Sequence, residues 1–216
     1  MHIKRKTIPE FWPLAKTGTK YMAVPCHNQD SSIPLVIAMR DVLKIIKTKK
    51  ELNKIIQEKK ILVNGKIIRE SNFPLSLFDS ISIPSVKKYY KADLSNKRMV
   101  LNEIPEKEAL IRVYKIIGKK ILPGKKVQLN LSNGRNILSN EKIKAGDFVL
   151  VNNQENKIIK IIPLTEGIEV ICVKGKHIGK KGKIKQIVKE GENFVAKLSV
   201  KGEEVKANVN NLFVTQ

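Results

Sequence analysis

From Lys174 to Lys189 the chain carries seven lysines and no acidic residue, punctuated by Gly175, Gly179 and Gly182. Ammonium groups at this density do one kind of chemistry well. They pair with phosphate, and each phosphate they neutralise releases condensed counterions. Glycines suit such a loop because they turn tightly and leave backbone amides open to phosphate. The run supplies Lys174, Lys176, His177, Lys180, Lys181 and Lys183 as candidate RNA-binding residues. A second set lies upstream: Arg40, Lys44, Lys47, Lys49, Lys50, Lys66 and Arg69, with Lys59 and Lys60 among them. A third stands at the start of the chain, where His2, Lys4, Arg5, Lys6 and Lys16 surround Trp12; Arg135 is a single candidate in the middle. The plain alternative for all of them is a solvated, lysine-rich surface.

The balance of charge favours the binding reading. Forty-two Lys and Arg against 20 Asp and Glu leave a net charge of +22 on 216 residues, which attracts polyanions. A membrane is not the expected partner. The longest apolar run, Ile33 to Met39, is broken by Pro34 and falls far short of the roughly 18 residues of a span. The start of the chain has charge without an apolar segment behind it, so it reads as no secretory signal.

Enzyme chemistry finds little footing. Asp147 is the only Asp after Asp93, so no acid–base constellation forms around it. The glycines of Gly175 to Gly182 have neither the spacing nor the following helix of a dinucleotide or phosphate-binding loop. Cys26 precedes His27 and Cys172 lies five before His177, but neither pair has a companion at zinc-site spacing. Two cysteines build no disulfide framework either, as is ordinary for a reduced compartment. The expectation is a non-enzyme with no metal, no cofactor and no small-molecule substrate.

Periodicity then places the basic residues on elements. Residues 1–32 show no sustained period and read as an extended basic tail, either disordered or ordered on a partner by stacking Trp12; packing of Trp12 on the next domain stays open. Ser32 can cap a helix tolerating Pro34, with Leu35, Met39, Val42, Leu43 and Ile46 as its stripe. Thr48 to Glu51 is a capping-box signature for a second helix burying Leu52, Ile55 and Ile56. Ile61 to Val63 and Ile67 to Ile68 flank an Asn64-Gly65 hairpin turn, and Ile81 and Ile83 belong to a further strand. Residues 85–106 read as a weakly patterned connector in which Tyr89 and Tyr90 pack or stack. Alternation at Ile111 to Ile116, Val127 to Leu131, Phe148 to Val151 and Ile158 to Ile162 gives a central β domain, a small barrel or an open sheet. Strands at Glu169 to Val173, Phe194 to Val200 and Val205 to Val209 surround the lysine run.

Seven stretches, in order, carry a resemblance: HIKR from His2, PEFWPLAK from Pro9, IPLVIAMRDVLK from Ile33, the Asn64-Gly65 hairpin, KVQLNLSNGRNI from Lys126, KAGDFVLV from Lys144 and VKGKHIGKKGKI from Val173. Together they resemble the archaeal and eukaryotic small-subunit ribosomal protein family S-four-e. Residues 40–84 resemble its S-four RNA-binding domain and the last stretch its KOW segment. The chain departs where the family has Asp for Asn64, a proline-, glycine- and His-containing run near Pro25 where this chain has PCHNQD, and His-Asp-Gly for Ser132-Asn133-Gly134; Asn-Gly serves a type I′ turn equally well.

The resemblance implies an α+β, multi-domain fold: a tail (1–32), an S-four-like domain of a helical pair and small sheet with its connector (33–104), a central β domain (105–164) and an SH3-like KOW barrel (165–216). It implies a structural constituent of the small ribosomal subunit in the cytoplasm, bound to small-subunit rRNA and neighbouring ribosomal proteins. Two other readings use the same modules: an RNA-modification enzyme, and a transcription or assembly factor.

Overall fold

Residues 2–123, 126–139, 143–191, 193–200 and 203–215 are described by the structure, a computed structural model. The chain divides into two compact units, Met1–Arg112 and Val113–Gln216.

The first unit begins with β1 (His2–Lys4), paired antiparallel with β2 (Tyr21–Ala23) so that Lys4 opposes Tyr21. The start of the chain is therefore not an extended tail. Its apolar side chains explain why. Trp12 and Met22 are buried in the core, with Ile3, Ile8, Phe11 and Leu14 packed around them. Met99 N donates to Phe11 O at 2.8 Å. Burial of this much apolar surface offsets the chain entropy that a basic tail would otherwise keep. Arg5 closes the intervening loop, donating to the carbonyls of Ala15 and Thr19 at 2.7 Å each.

Next, β3 (Ser32–Pro34) leads into α1 (Leu35–Ile37), which widens into a π-helical turn over Ala38–Val42. Ser32 is thus a strand residue and not a helix cap. Its hydroxyl donates to Asn28 O, and the helix starts only after the extended backbone of Pro34. Leu35 to Met39 are all buried, so this turn is a core peg with no amphipathic stripe. The second helix, α2 (Lys49–Gln57), starts as its sequence requires: Thr48 Oγ1 accepts from Glu51 N at 3.2 Å. Glu51 reaches back one residue further than in the standard box, accepting from Lys47 N at 2.8 Å. That amide holds the Glu51 carboxyl below the usual carboxylate range.

Strands β4 (Leu62–Val63) and β5 (Lys66–Ile67) meet at Asn64 (φ +50°) and Gly65 (φ +72°), the values of a type I′ turn. Then come β6 (Pro74–Ser76), paired with β3, and β7 (Ser80–Ile83). The stretch read as a connector is a long hairpin, β8 (Lys88–Ser95) and β9 (Arg98–Glu103). Its turn is Asn96-Lys97 with both φ positive, and a lysine there hides the signal that glycine would give. Tyr90 is buried opposite Ile81, which settles that residue as packing. The sheet order is β5-β4-β7-β8-β9, followed by the short α3 (Glu106–Ala109).

A polar network lies buried at the end of this sheet. Asn64 Nδ2 donates to Asp79 Oδ1 at 2.6 Å, and Asn64 Oδ1 accepts from Ser80 N at 3.0 Å. Asp79 also accepts from Ser76 N and pairs with the Arg112 guanidinium, which donates to Leu77 O. Both partners of the ion pair are buried.

The long strand β10 (Ile111–Ile121) carries the chain into the second unit. With β11 (Val127–Leu131), β12 (Asn136–Ser139), β13 (Phe148–Asn152) and β14 (Lys157–Ile162), it forms a sheet ordered β12-β11-β10-β13-β14. Tyr114, Ile116, Leu129, Leu131, Val149 and Val151 form its core. A second sheet holds β15 (Glu169–Cys172), β16 (Lys181–Glu190), β17 (Asn193–Val200), β18 (Glu203–Asn208) and β19 (Leu212–Val214), ordered β18-β17-β16-β15-β19. Val113 and Phe148 of the first sheet pack into the core of the second. The observed fold is mostly β, with few helices and several sheets.

Lys115 joins the two sheets of this unit. Its half-buried Nζ donates to Val209 O at 2.8 Å and Asn210 O at 3.2 Å. Burial pushes its pKa down from 10.5 to about 8. Between those values the unfolded chain binds the extra proton, so stability rises with pH across that window. The neutral amine keeps two N–H bonds for the two carbonyls. Relative to a Lys115→Met variant, which lacks this titration, the wild-type Tm is therefore expected to gain between about pH 8 and pH 10. Thermal melts at both pH values check this, and a constant difference would contradict it.

Candidate nucleic-acid interface

Lysines cover the turn between β15 and β16. Lys174, Lys176, Lys180 and Lys181 are exposed, as is Lys183 at the start of β16, while His177 is half-buried. The turn is held by its own backbone. Gly179 N donates to Cys172 O at 2.8 Å, Lys180 N to His177 O at 3.1 Å and Ile178 N to Gly175 O at 3.3 Å. Those three amides are therefore engaged within the turn, and the exposed lysine side chains carry its positive charge. Gly175 and Gly179 sit at positive φ as a tight turn demands. Gly182 serves packing instead: a Cβ there would lie 2.6 Å from Ser199 O on β17. Lys183 also faces Glu169 at 3.7 Å, a solvent-screened pair of small energetic weight.

In the first unit, Lys44, Lys47, Lys49, Lys50, Lys66 and Arg69 are all exposed. The fold brings two of them to one place. Lys49 at the start of α2 and Arg69 just after β5 line the same open groove of about 420 Å³. Cys26 stands at that groove with its thiol donating to Glu70 Oε2 at 2.7 Å, and this hydrogen bond raises the thiol's pKa. Arg40 is otherwise occupied, its guanidinium pairing with both carboxylate oxygens of adjacent Asp41 at 2.8–3.0 Å.

At the start of the chain, His2, Lys4, Lys6 and Lys16 are exposed. Arg5 is committed to the loop it closes, and Trp12 is buried in the core and offers no face for stacking. The exposed aromatic there is Tyr21, edge-on to His2 at 4.7 Å and with Lys20 Nζ 5.4 Å from its ring centre. Arg135 is half-buried: it donates to Asn153 Oδ1 at 2.8 Å and lies over the Tyr114 ring. Among the described residues no group of three His, Cys, Asp or Glu is placed to hold a metal ion, and no helix is long and apolar enough to cross a membrane.

Residues 93–158 match Ribosomal family S4e, and residues 35–81 match the S4 domain. The small ribosomal subunit protein eS4 of Methanosphaera stadtmanae is 39% identical over 191 residues, covering 86% of this chain and 79% of that protein. The chain belongs to the eS4 family. The eS4 protein of Nanoarchaeum equitans is 29% identical and covers more, 98% of this chain and 93% of its own. The crystal structure of the 30S ribosomal protein S4e from Thermoplasma acidophilum superposes with a TM-score of 0.72 at 28% identity, over 86% of this chain and 95% of that one. The eS4 family is one of structural proteins and not of enzymes.

Within this eS4 chain, the S4-matched residues hold the upstream basic set from Arg40 to Arg69, and the lysine turn after β15 lies outside both matched segments. Two parts of the surface are invisible to periodicity and cation counting. Tyr21 stands in a segment without period, although Lys20 beside it is a usable cue. The groove residues Asn53, Gln57, Glu70 and Asn72 are neutral or acidic, and a search for cations passes over them.

Proposed function

We propose that this chain is a structural constituent of the small ribosomal subunit that binds small-subunit rRNA through two lysine surfaces. One surface is the turn carrying Lys174, Lys176, Lys180, Lys181 and Lys183. The other is the set Lys44, Lys47, Lys49, Lys50, Lys66 and Arg69, with His2, Lys4, Lys6 and Lys16 as a lesser contribution. The observation that supports this most is the exposure of these cations in a chain of net charge +22 that belongs to the eS4 family. In mechanism, the ammonium groups neutralise phosphates crowded by RNA folding and release their counterions. Arg5, Trp12, Arg40 and Arg135 hold the protein's own structure and take no leading part in contact. The S-four-like, central β and KOW segments act as successive modules, the last as an SH3-like barrel with its KOW turn toward RNA. The setting is the ribosome in the cytoplasm, beside neighbouring small-subunit proteins.

Co-sedimentation from lysate tests the assignment: the protein is expected in the small-subunit fraction, and its absence there would overturn the reading. Replacing Lys174, Lys176, Lys180 and Lys181 together with Ala is expected to weaken rRNA-fragment binding by roughly tenfold or more. The melting temperature is expected to stay nearly constant, since surface substitutions usually cost little. Unchanged affinity in a filter-binding titration would remove the turn from the interface.

A further inference from the structure

The groove beside α2 is lined by cations and by hydrogen-bonding side chains. Lys49, Asn53 and Gln57 recur every four residues and so share one helical face, and the groove continues onto Arg69, Glu70 and Asn72 after β5. Its volume of about 420 Å³ lies within the range of roughly 300–1,000 Å³ usual for small-molecule sites. Lys49 and Arg69 are exposed cations, and neither is in an ion pair among the described residues. They suit a phosphate. Glu70 and Asn72 supply acceptors instead. The Glu70 carboxylate receives the Cys26 thiol on one oxygen, and Asn72 Oδ1 is buried without a hydrogen-bond partner. An unpaired acceptor costs free energy, which a ligand donor recovers once the Asn72 amide turns toward the groove.

A cation on each side of the groove, with acceptors beside them, calls for an anion joined to a group bearing N–H donors. We infer that this groove binds a single unpaired nucleotide of RNA, its phosphate at Lys49 and Arg69 and its base edge at Glu70 and Asn72. The carboxylate sets the preference. Guanine alone presents two adjacent N–H donors on its Watson–Crick edge, N1–H and the N2 amino group, which one carboxylate accepts together. Adenine and cytosine offer the amino group alone, and uracil offers only its N3–H. The amides of Asn53 and Gln57 carry both donors and acceptors and suit the ribose hydroxyls or the guanine O6. Unpaired bases are the usual target of sequence-specific RNA recognition, because the paired edge is inaccessible in an A-form helix. This inference rests on the rRNA-binding reading and adds a base-specific contact to it.

The test uses the full chain and a set of RNA hairpins: one fully paired, and four with a single bulged nucleotide, G, A, C or U. The wild type is expected to bind the bulged-G hairpin about 5- to 150-fold more tightly than the paired one, the range for a bidentate base contact. Glu70→Gln replaces an acceptor with a donor and is expected to abolish the preference for G. The double variant Asn53→Ala, Gln57→Ala, confined to exposed positions on α2, is expected to lose affinity for the bulged-G hairpin and to keep that for the paired one. Thermal melts of each variant distinguish a weakened interaction from an unfolded chain. Equal, steeply salt-dependent binding of all five hairpins would overturn the pocket and leave the electrostatic reading standing. Failure to bind any of them, even at low salt, would overturn both.

Discussion

Asp79→Ala is expected to destabilise the first unit by about 3–5 kcal/mol, lowering its Tm by roughly 10–20 °C. The size follows from what the substitution leaves behind. Arg112 is buried, and it would remain charged without the carboxylate that pairs with it. Asn64 Nδ2 and Ser76 N would lose their acceptors in the same step. Each orphaned donor adds about 1–3 kcal/mol of desolvation cost, and the losses overlap because they share one carboxylate. Removing both ends of the pair, as in Asp79→Leu with Arg112→Met, is expected to cost less than either single change, since no buried charge is then stranded. Circular dichroism melts of Asp79→Leu, Arg112→Met and the double variant form the cycle. If Asp79→Ala melted within a few degrees of wild type, the pair would contribute nothing beyond packing.

The same network shows where the sequence was readable. Asn64-Gly65 was legible as a turn because positive φ at two successive residues restricts the choice to a few residue types. The further use of Asn64, its side chain turned inward to Asp79 and Ser80, was not legible. It depends on Asp79 and Arg112, which lie 15 and 48 positions away, and no local period connects them. Thr48 and Glu51 were legible for the opposite reason, since a cap is a contact within one helical turn. The start of the chain misled because its apolar residues follow neither a helical nor a strand period; they pack as a loop around Trp12, and only the folded core shows which face they need. The lysine turn was legible as charge and as glycine-assisted turning, whereas the close approach of Gly182 to β17 required the sheet register. Arg5, Arg40 and Arg135 show the limit of counting cations. Arginine offers five donors in a fixed fork, and the chain uses these three to satisfy its own carbonyls, carboxylate and amide.

Binding to a small-subunit rRNA fragment is expected to weaken by more than a hundredfold between about 50 and 200 mM monovalent salt. Five or six phosphates, each contributing roughly 0.7–0.9 to the log–log slope, give a slope of about −3.5 to −5.4. A fourfold rise in salt at such a slope lowers the association constant by about 130-fold or more. Enough cations are available for that count: Lys174, Lys176, Lys180, Lys181 and Lys183 on one surface, and Lys44, Lys47, Lys49, Lys50, Lys66 and Arg69 on the other, all exposed. The pair of Lys183 with Glu169 is open to solvent. Such pairs are exchanged for phosphate at little cost. The slope also divides between the surfaces. The four-lysine variant of the β15–β16 turn is expected to flatten it by about 0.7–0.9 for each phosphate no longer neutralised, with the remainder carried by the first unit. Fluorescence anisotropy titrations at four or more salt concentrations give both numbers. A slope near zero in the wild type would mean that shape and base contacts hold the RNA, and that the charge of +22 is only a solvated surface.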